Sequence, residues 1–167
     1  MSYKLYPEFL SNSEFKIIQN ASIEIYTDPS TVYHTNHTRW ESKLTGSSNA
    51  VLTYGLEPSS EVFSLLSKNL QNTLNSIPLS IMFYYWSPGS YINWHNDGNY
   101  SKAATLYLND KWDKNWGGYY MTNQNSIITA IKPERNLLIF QSDNIEHCTT
   151  STHNNSPIRA TVQIFFK

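Results

Sequence analysis

The sequence predicts a mainly β fold, a double-stranded β-helix (jelly roll, cupin-like) with helices packed outside it. Two observations point there. Both helix-start signals fall in the first 78 residues, and from Leu79 onward short runs of β-branched and aromatic residues alternate with Pro, Gly, Asn and Asp clusters. About eight short strands following two helices suggest a closed or sandwiched antiparallel sheet with helices packed outside.

Taking the elements in order, Ser11-Asn12-Ser13-Glu14 supplies capping groups ahead of Phe15, Ile17, Ile18 and Ala21, which predicts a short helix. Tyr33 to Gly55 is polar, aromatic and weakly patterned. It contains His34, His37, Arg39 and Trp40 and reads as loop with irregular strand, and Arg39 and Trp40 are expected in a lid over the mouth of the fold. Pro58-Ser59-Ser60-Glu61 opens a second helix, with Val62, Leu65, Leu66, Leu70 and Leu74 at intervals of three and four and an end before Pro78. Strands are expected near 80–86, 91–97, 102–109, 117–122, 126–132, 136–141, 145–150 and 158–166. No repeat, low-complexity tract or linker interrupts the chain. Residues 1–167 therefore read as one domain, with 1–78 as helical support and lid and 79–167 as the core jelly roll.

Composition narrows the function. Twelve basic residues against thirteen acidic ones leave a formal charge of −1, which removes the electrostatic case for bulk nucleic acid as a partner. The single cysteine, Cys148, permits no intramolecular disulfide, so a reducing cytoplasm fits best. By strand alternation it faces away from the neighbouring His147 and reads as a small buried hydrophobe. The first ten residues show no export signal, and no stretch approaches the ~18 apolar residues of a membrane span, so neither export nor a membrane is expected. Oligomeric state is not legible.

The chemistry concentrates in Tyr91-Ile92-Asn93-Trp94-His95-Asn96-Asp97. On an extended strand, His95 and Asp97 project from the same face. An imidazole and a carboxylate so placed can take two corners of one metal, and His147 is the natural third ligand. Two imidazoles and one carboxylate form a facial set that leaves the opposite positions open, as in iron(II) oxygenases rather than closed structural zinc sites. His-x-Asp alone also suits an ordinary hydrogen-bonded histidine; the order His95, Asp97, His147 and then Arg159 twelve positions on is more specific. The last strand alternates Arg159, Thr161 and Gln163 with Ala160, Val162 and Ile164. A guanidinium inside an apolar barrel can grip the far carboxylate of a dicarboxylate whose near end chelates the metal. An edge-strand arginine facing water is the plainer alternative.

From Tyr84 to Phe166 the chain resembles the iron(II)- and 2-oxoglutarate-dependent dioxygenases, especially their prolyl-4-hydroxylase-like branch. The resemblance is carried by Tyr84-Tyr85-Trp86-Ser87-Pro88-Gly89, His95-Asn96-Asp97, Thr105-Leu106-Tyr107-Leu108-Asn109, Trp112, Gly117-Gly118, Ile131-Lys132-Pro133, Leu138-Ile139-Phe140, His147 and Arg159. It implies Fe(2+) on His95, Asp97 and His147, 2-oxoglutarate and O2 as co-substrates, and ascorbate as a reductant. It also implies that Arg159, with Tyr107 and Thr161, holds the 2-oxoglutarate C5 carboxylate. Retention of Asp97 points to hydroxylation, since the related halogenating enzymes lack this carboxylate. Trp86 stands where the branch often has tyrosine, which bears on the substrate.

Trp86, Tyr91 and Trp94 are expected as an aromatic rim for a peptide or proline ring, with barrel packing as the alternative. His34, His37 and His153 read as solvated loop residues, though His34 or His37 could meet substrate. The favoured function is hydroxylation of a prolyl residue in a peptide or protein, with release of succinate and CO2. Hydroxylation of a free amino acid or small metabolite uses the same residues. Nucleic-acid dealkylation ranks low, because Val162 to Phe166 lacks the second arginine usual in that branch. A non-catalytic metal-binding jelly-roll module is the reading from another class, and Arg159 with the open ligand set speaks against it.

Overall fold

The Ser11 hydroxyl accepts from the Glu14 amide at 3.3 Å while Glu14 Oε2 accepts from the Ser11 amide at 3.0 Å, so two N–H groups that a helix start leaves orphaned are satisfied reciprocally. The computed structural model describes residues 3–28, 51–98 and 100–167. In it the helix that Ser11 opens is α1 (Asn12–Thr27), preceded by a strand, β1 (Tyr3–Tyr6). Strand β2 (Val51–Gly55) leads to the second helix, α2 (Glu61–Leu74). The Ser60 hydroxyl caps α2 by accepting from the Phe63 amide at 3.2 Å, and Asn75 ends it in the left-handed region.

Every strand expected after Leu79 forms. These are β3 (Ser80–Trp86), β4 (Ile92–His95), β5 (Lys102–Tyr107), β6 (Tyr120–Gln124), β7 (Ile127–Ile131), β8 (Leu138–Ser142), β9 (His147–Thr149) and β10 (Arg159–Phe166). Strand β1 is an addition to the expectation, and β2 lies in the segment expected as loop and irregular strand. His34, His37, Arg39 and Trp40 lie outside the described residues.

The strands form two antiparallel sheets, one ordered β1-β8-β5-β10-β3-β2 and the other β4-β9-β6-β7. From β3 onward each strand crosses to the opposite sheet, except at the β6–β7 hairpin, where Asn125 and Ser126 both have positive φ, at 51° and 63°. Two such residues in a two-residue loop match the right-handed twist of the flanking strands. The winding is that of a jelly roll.

Strand alternation on β10 divides the structure. Val162, Ile164 and Phe166 turn outward with Phe83 and Tyr85 of β3, and meet Phe15 and Ile18 of α1 and Leu66 and Leu70 of α2 in the main core. Each of these buried apolar side chains is worth roughly 1.5–3 kcal/mol by transfer. Ile17, expected on the packed helical face, instead points to solvent at 44% exposure. Gln19 and Ser22 take the buried positions, because each finds a partner on the sheet: Gln19 Nε2 donates to the Leu108 carbonyl at 2.8 Å and the Tyr85 hydroxyl donates to the Ser22 carbonyl at 2.7 Å. Arg159, Thr161, Gln163 and Phe165 turn the other way, into the space between the sheets. Among the described residues no helix is long and apolar enough to cross a membrane.

Candidate active site

Strand β4 carries a β-bulge that the site depends on. Ile92 pairs with Thr149 and His95 with His147, so three steps on β4 oppose two on β9. The extra residue turns both Ile92 and His95 into the space between the sheets although they are three apart. The simple alternation expected through Asp97 is therefore corrected: the strand stops at His95, and Asp97 follows in a loop, its backbone amide donating to Asn144 Oδ1 at 2.9 Å.

His95, Asp97 and His147 nevertheless converge, each offering a ligand atom within 4.8 Å of the others. His147 Nε2 is 3.8 Å from Asp97 Oδ1, and the imidazole centroids are 4.3 Å apart. Each ring is fixed by its own backbone. His95 Nδ1 lies 2.7 Å from the Asn93 carbonyl oxygen and His147 Nδ1 2.9 Å from that of Ile145. A carbonyl oxygen can only accept, so the proton sits on Nδ1 and Nε2 carries the lone pair. Burial, and then the neighbouring His147, hold His95 below the usual histidine range, which favours the neutral ring that ligates metals. This donor set suits a divalent metal.

Arg159 lies at the inner end of the same cavity, 2% exposed. Its Nη1 donates to the Gly118 carbonyl at 3.0 Å, its guanidinium carbon stands 4.8 Å over the Trp86 ring, and its Nε has no hydrogen-bond partner. Among the described residues no carboxylate pairs with it. Burial pulls this guanidinium down to about 10, and Tyr107 beside it pushes the other way. Burial likewise raises the Tyr107 hydroxyl to about 12, so it remains a donor at neutral pH. Thr161 pairs with Tyr107 across β10 and β5, and both line the cavity. Gly118 makes the arrangement possible: it has φ +67°, and a Cβ there would come within 3.1 Å of Arg159 Nη1. A buried cation with an orphaned donor fits a carboxylate arriving from outside.

The space enclosed measures about 480 Å³, solvent at its opening included. Beyond His95 and Asp97 a second space opens, lined by Gly98, Tyr100, Glu146 and Phe165, where the Tyr100 and Phe165 rings lie 4.5 Å apart. Of the rim expected from Trp86, Tyr91 and Trp94, Trp86 alone lines the cavity. Trp86 is buried under the guanidinium, because β3 pairs it with Arg159. Tyr91 and Trp94 do not line the cavity, and Trp94 is 38% exposed. Cys148 is buried. His153 is exposed, its Nδ1 accepting from the Asn155 amide. Tyr84, Tyr120 and Gln141 were not expected at the site, yet the first two line it and Gln141 donates to Asp97. The signal for Gln141 was a polar residue two positions beyond Ile139, on an otherwise apolar strand face.

Residues 79–167 match the family model described as the 2OG-Fe(II) oxygenase superfamily. No curated protein matches the sequence. The fold is similar to that of a Pseudomonas putida prolyl-4-hydroxylase, at 14% identity and TM-score 0.79, over 99% of this chain and 92% of that one. It is similar to a prolyl hydroxylase from Trichoplax adhaerens in complex with a hypoxia inducible factor peptide fragment, at 13% identity and TM-score 0.79, over 99% and 83% of the two chains. A viral collagen prolyl hydroxylase from Paramecium Bursaria Chlorella virus-1 aligns at 18% identity and TM-score 0.70, over 99% and 95%.

Proposed function

The chain belongs to the 2OG-Fe(II) oxygenase superfamily, and on that premise we propose that it hydroxylates a C–H bond of a prolyl residue in a peptide or protein. As a member it is a dioxygenase that uses Fe(2+), 2-oxoglutarate and O2. In the proposed assignment His95, Asp97 and His147 hold the iron, and Arg159, Tyr107 and Thr161 hold the C5 carboxylate of 2-oxoglutarate. Ascorbate would serve to keep the metal ferrous.

The observation that carries the assignment is the pairing, in one cavity, of three convergent ligand atoms with a buried guanidinium whose Nε is unsatisfied. Held by His95, Asp97 and His147, iron would supply the chemistry by which oxidative decarboxylation of 2-oxoglutarate with O2 is coupled to insertion of one oxygen atom into a substrate C–H bond, giving succinate, CO2 and an alcohol. The protein's own residues supply placement. Arg159 offers charge and a free N–H, and Tyr107 a proton that burial keeps on its hydroxyl. Trp86 and Ile92 wall the cavity with apolar surface and so exclude water.

The prolyl substrate is supported by the likeness of Tyr84 to Phe166 to the prolyl-4-hydroxylase-like branch, by the prolyl hydroxylases among the similar folds, one of them with a peptide bound, and by the Tyr100 and Phe165 rings, which suit packing against a proline ring. The test supplies iron(II), ascorbate and 2-oxoglutarate with proline-containing peptides in one arm and free amino acids in the other. Succinate release with a gain of one oxygen on a peptide prolyl residue is expected. Turnover confined to the free amino acids would replace the peptide substrate by a small one. No succinate in either arm would refute the proposal.

A further inference from the structure

Gln141 on β8 is 4% exposed and has no task in the reaction above. Its amide bridges two residues of the site: Nε2 donates to Asp97 Oδ2 at 2.5 Å, and Oε1 accepts from the Tyr120 hydroxyl. Hydrogen-bonding capacity dictates this orientation. An ionised carboxylate only accepts, so the amide nitrogen must face Asp97; the amide oxygen is left for Tyr120, whose hydroxyl must then donate. The Tyr120 ring also stacks on His147, centroids 5.4 Å apart with 27° between the planes. One tyrosine–glutamine pair thus touches two of the three proposed metal ligands from behind.

With Oδ2 engaged by the amide, Oδ1 is the oxygen that faces His147 Nε2. A carboxylate free to rotate could swing both oxygens toward a metal and occupy a position that the co-substrate or O2 requires. The Asp97 backbone is already held by Asn144, so rotation of the carboxyl group is the motion left to restrain. We infer that Gln141, locked by Tyr120, is a positioning residue that holds Asp97 as a one-oxygen ligand and thereby sets the affinity of the site for its metal. The inference rests on the proposed role of Asp97 as a ligand.

The test titrates metal-free protein with Mn2+ by calorimetry and records the visible spectrum with Co2+, whose bands report coordination. Wild type is compared with Gln141→Met, which keeps the length without the amide, Tyr120→Phe, which keeps the ring without the hydroxyl, the double variant, and Asp97→Ala. Gln141→Met is expected to bind Mn2+ about 10–100-fold more weakly, the usual loss when a partner behind a metal ligand is removed, and to shift the Co2+ bands. Tyr120→Phe should bind several-fold more weakly. The double variant should match Gln141→Met alone, because Tyr120 acts through the amide.

Gln141→Met affinity within twofold of wild type with an unchanged Co2+ spectrum overturns the inference, as do single losses that add in full. Should Gln141→Met fail to fold, as judged by its melting temperature without metal, Tyr120→Phe decides: a weaker site supports the inference and an unchanged one overturns it. Asp97→Ala separates the two levels. Wild type binding no better than Asp97→Ala overturns the metal assignment itself, whereas loss in Asp97→Ala with Gln141→Met unaffected overturns only the role of Gln141.

Discussion

Replacing Arg159 by Met separates its cost to the fold from its use in binding. A guanidinium lowered from 12.5 to about 10, burial outweighing the opposing Tyr107, carries a net penalty of roughly 3–4 kcal/mol, at about 1.4 kcal/mol per pKa unit. Met removes that penalty. It also removes the hydrogen bond to the Gly118 carbonyl and the contact over Trp86, together worth roughly 1–4 kcal/mol. The two sides nearly cancel, so Arg159→Met should melt within a few degrees of wild type when metal and co-substrate are absent. Truncation of a large buried residue ordinarily costs about 2–5 kcal/mol. Binding behaves differently. A ligand at a hundred times its dissociation constant stabilises by about 2.7 kcal/mol, which at roughly 2–4 °C per kcal/mol for a domain of this size raises Tm by about 5–11 °C. Calorimetric scans with Mn2+, with and without 2-oxoglutarate, should show that rise in wild type and none in Arg159→Met. Unfolding of the variant more than about 10 °C lower without ligand would make Arg159 structural, and an undiminished rise would place the carboxylate elsewhere; either result refutes the reasoning.

Three other outcomes follow from the geometry. Gly118→Ala puts a methyl group 3.1 Å from Arg159 Nη1 at φ +67°; it should lower Tm and raise the KM for 2-oxoglutarate severalfold, and steady-state kinetics showing an unchanged KM would mean that the guanidinium yields freely. Tyr107→Phe keeps the ring and removes a hydroxyl worth roughly 0.5–1.5 kcal/mol, so 2-oxoglutarate should bind about 2–12-fold more weakly in a calorimetric titration, and unchanged binding would free Tyr107 of contact with the carboxylate. His95 is held below the histidine value of 6.5 by burial and His147, so the folded state resists the proton that the unfolded chain accepts. Its contribution to metal-free stability is full above pH 6.5 and is lost as pH falls below it; His95→Gln should flatten that acid limb in denaturant titrations at pH 5–8, and an unaltered slope would assign the loss to other groups.

The jelly roll was legible because eight apolar and aromatic runs between turn residues survive inspection one strand at a time. The four residues proposed for iron and co-substrate were legible through order along the chain: His95 and Asp97 are neighbours, and His147 and Arg159 follow at a spacing that few other arrangements demand. What stayed hidden depends on pairing between distant segments. Strand β1 has both end residues half-buried and both central ones exposed, and exists only because Tyr3–Tyr6 pairs with Gln141 back to Leu138. The bulge in β4 appears only when Ile92 and His95 are set against Thr149 and His147. Trp86 reads as a rim residue because it lies close along the chain to the His95–Asp97 motif, whereas its neighbour across the sheet is Arg159. Gln141 was obscured for the same reason, since its partners Asp97 and Tyr120 are 44 and 21 residues away.

The depth of Arg159 has a kinetic meaning. A keto acid bound to that buried guanidinium would lie in the cavity that His95, Asp97 and His147 also line, and Phe165 lines both this cavity and the space beyond it toward Tyr100. A polypeptide resting on Tyr100 and Phe165 would cork this corridor. Under the proposed function the two reactants would therefore queue, the small one entering first, and succinate would stay trapped until the modified chain departs. Added succinate should accordingly compete with 2-oxoglutarate and not with the peptide.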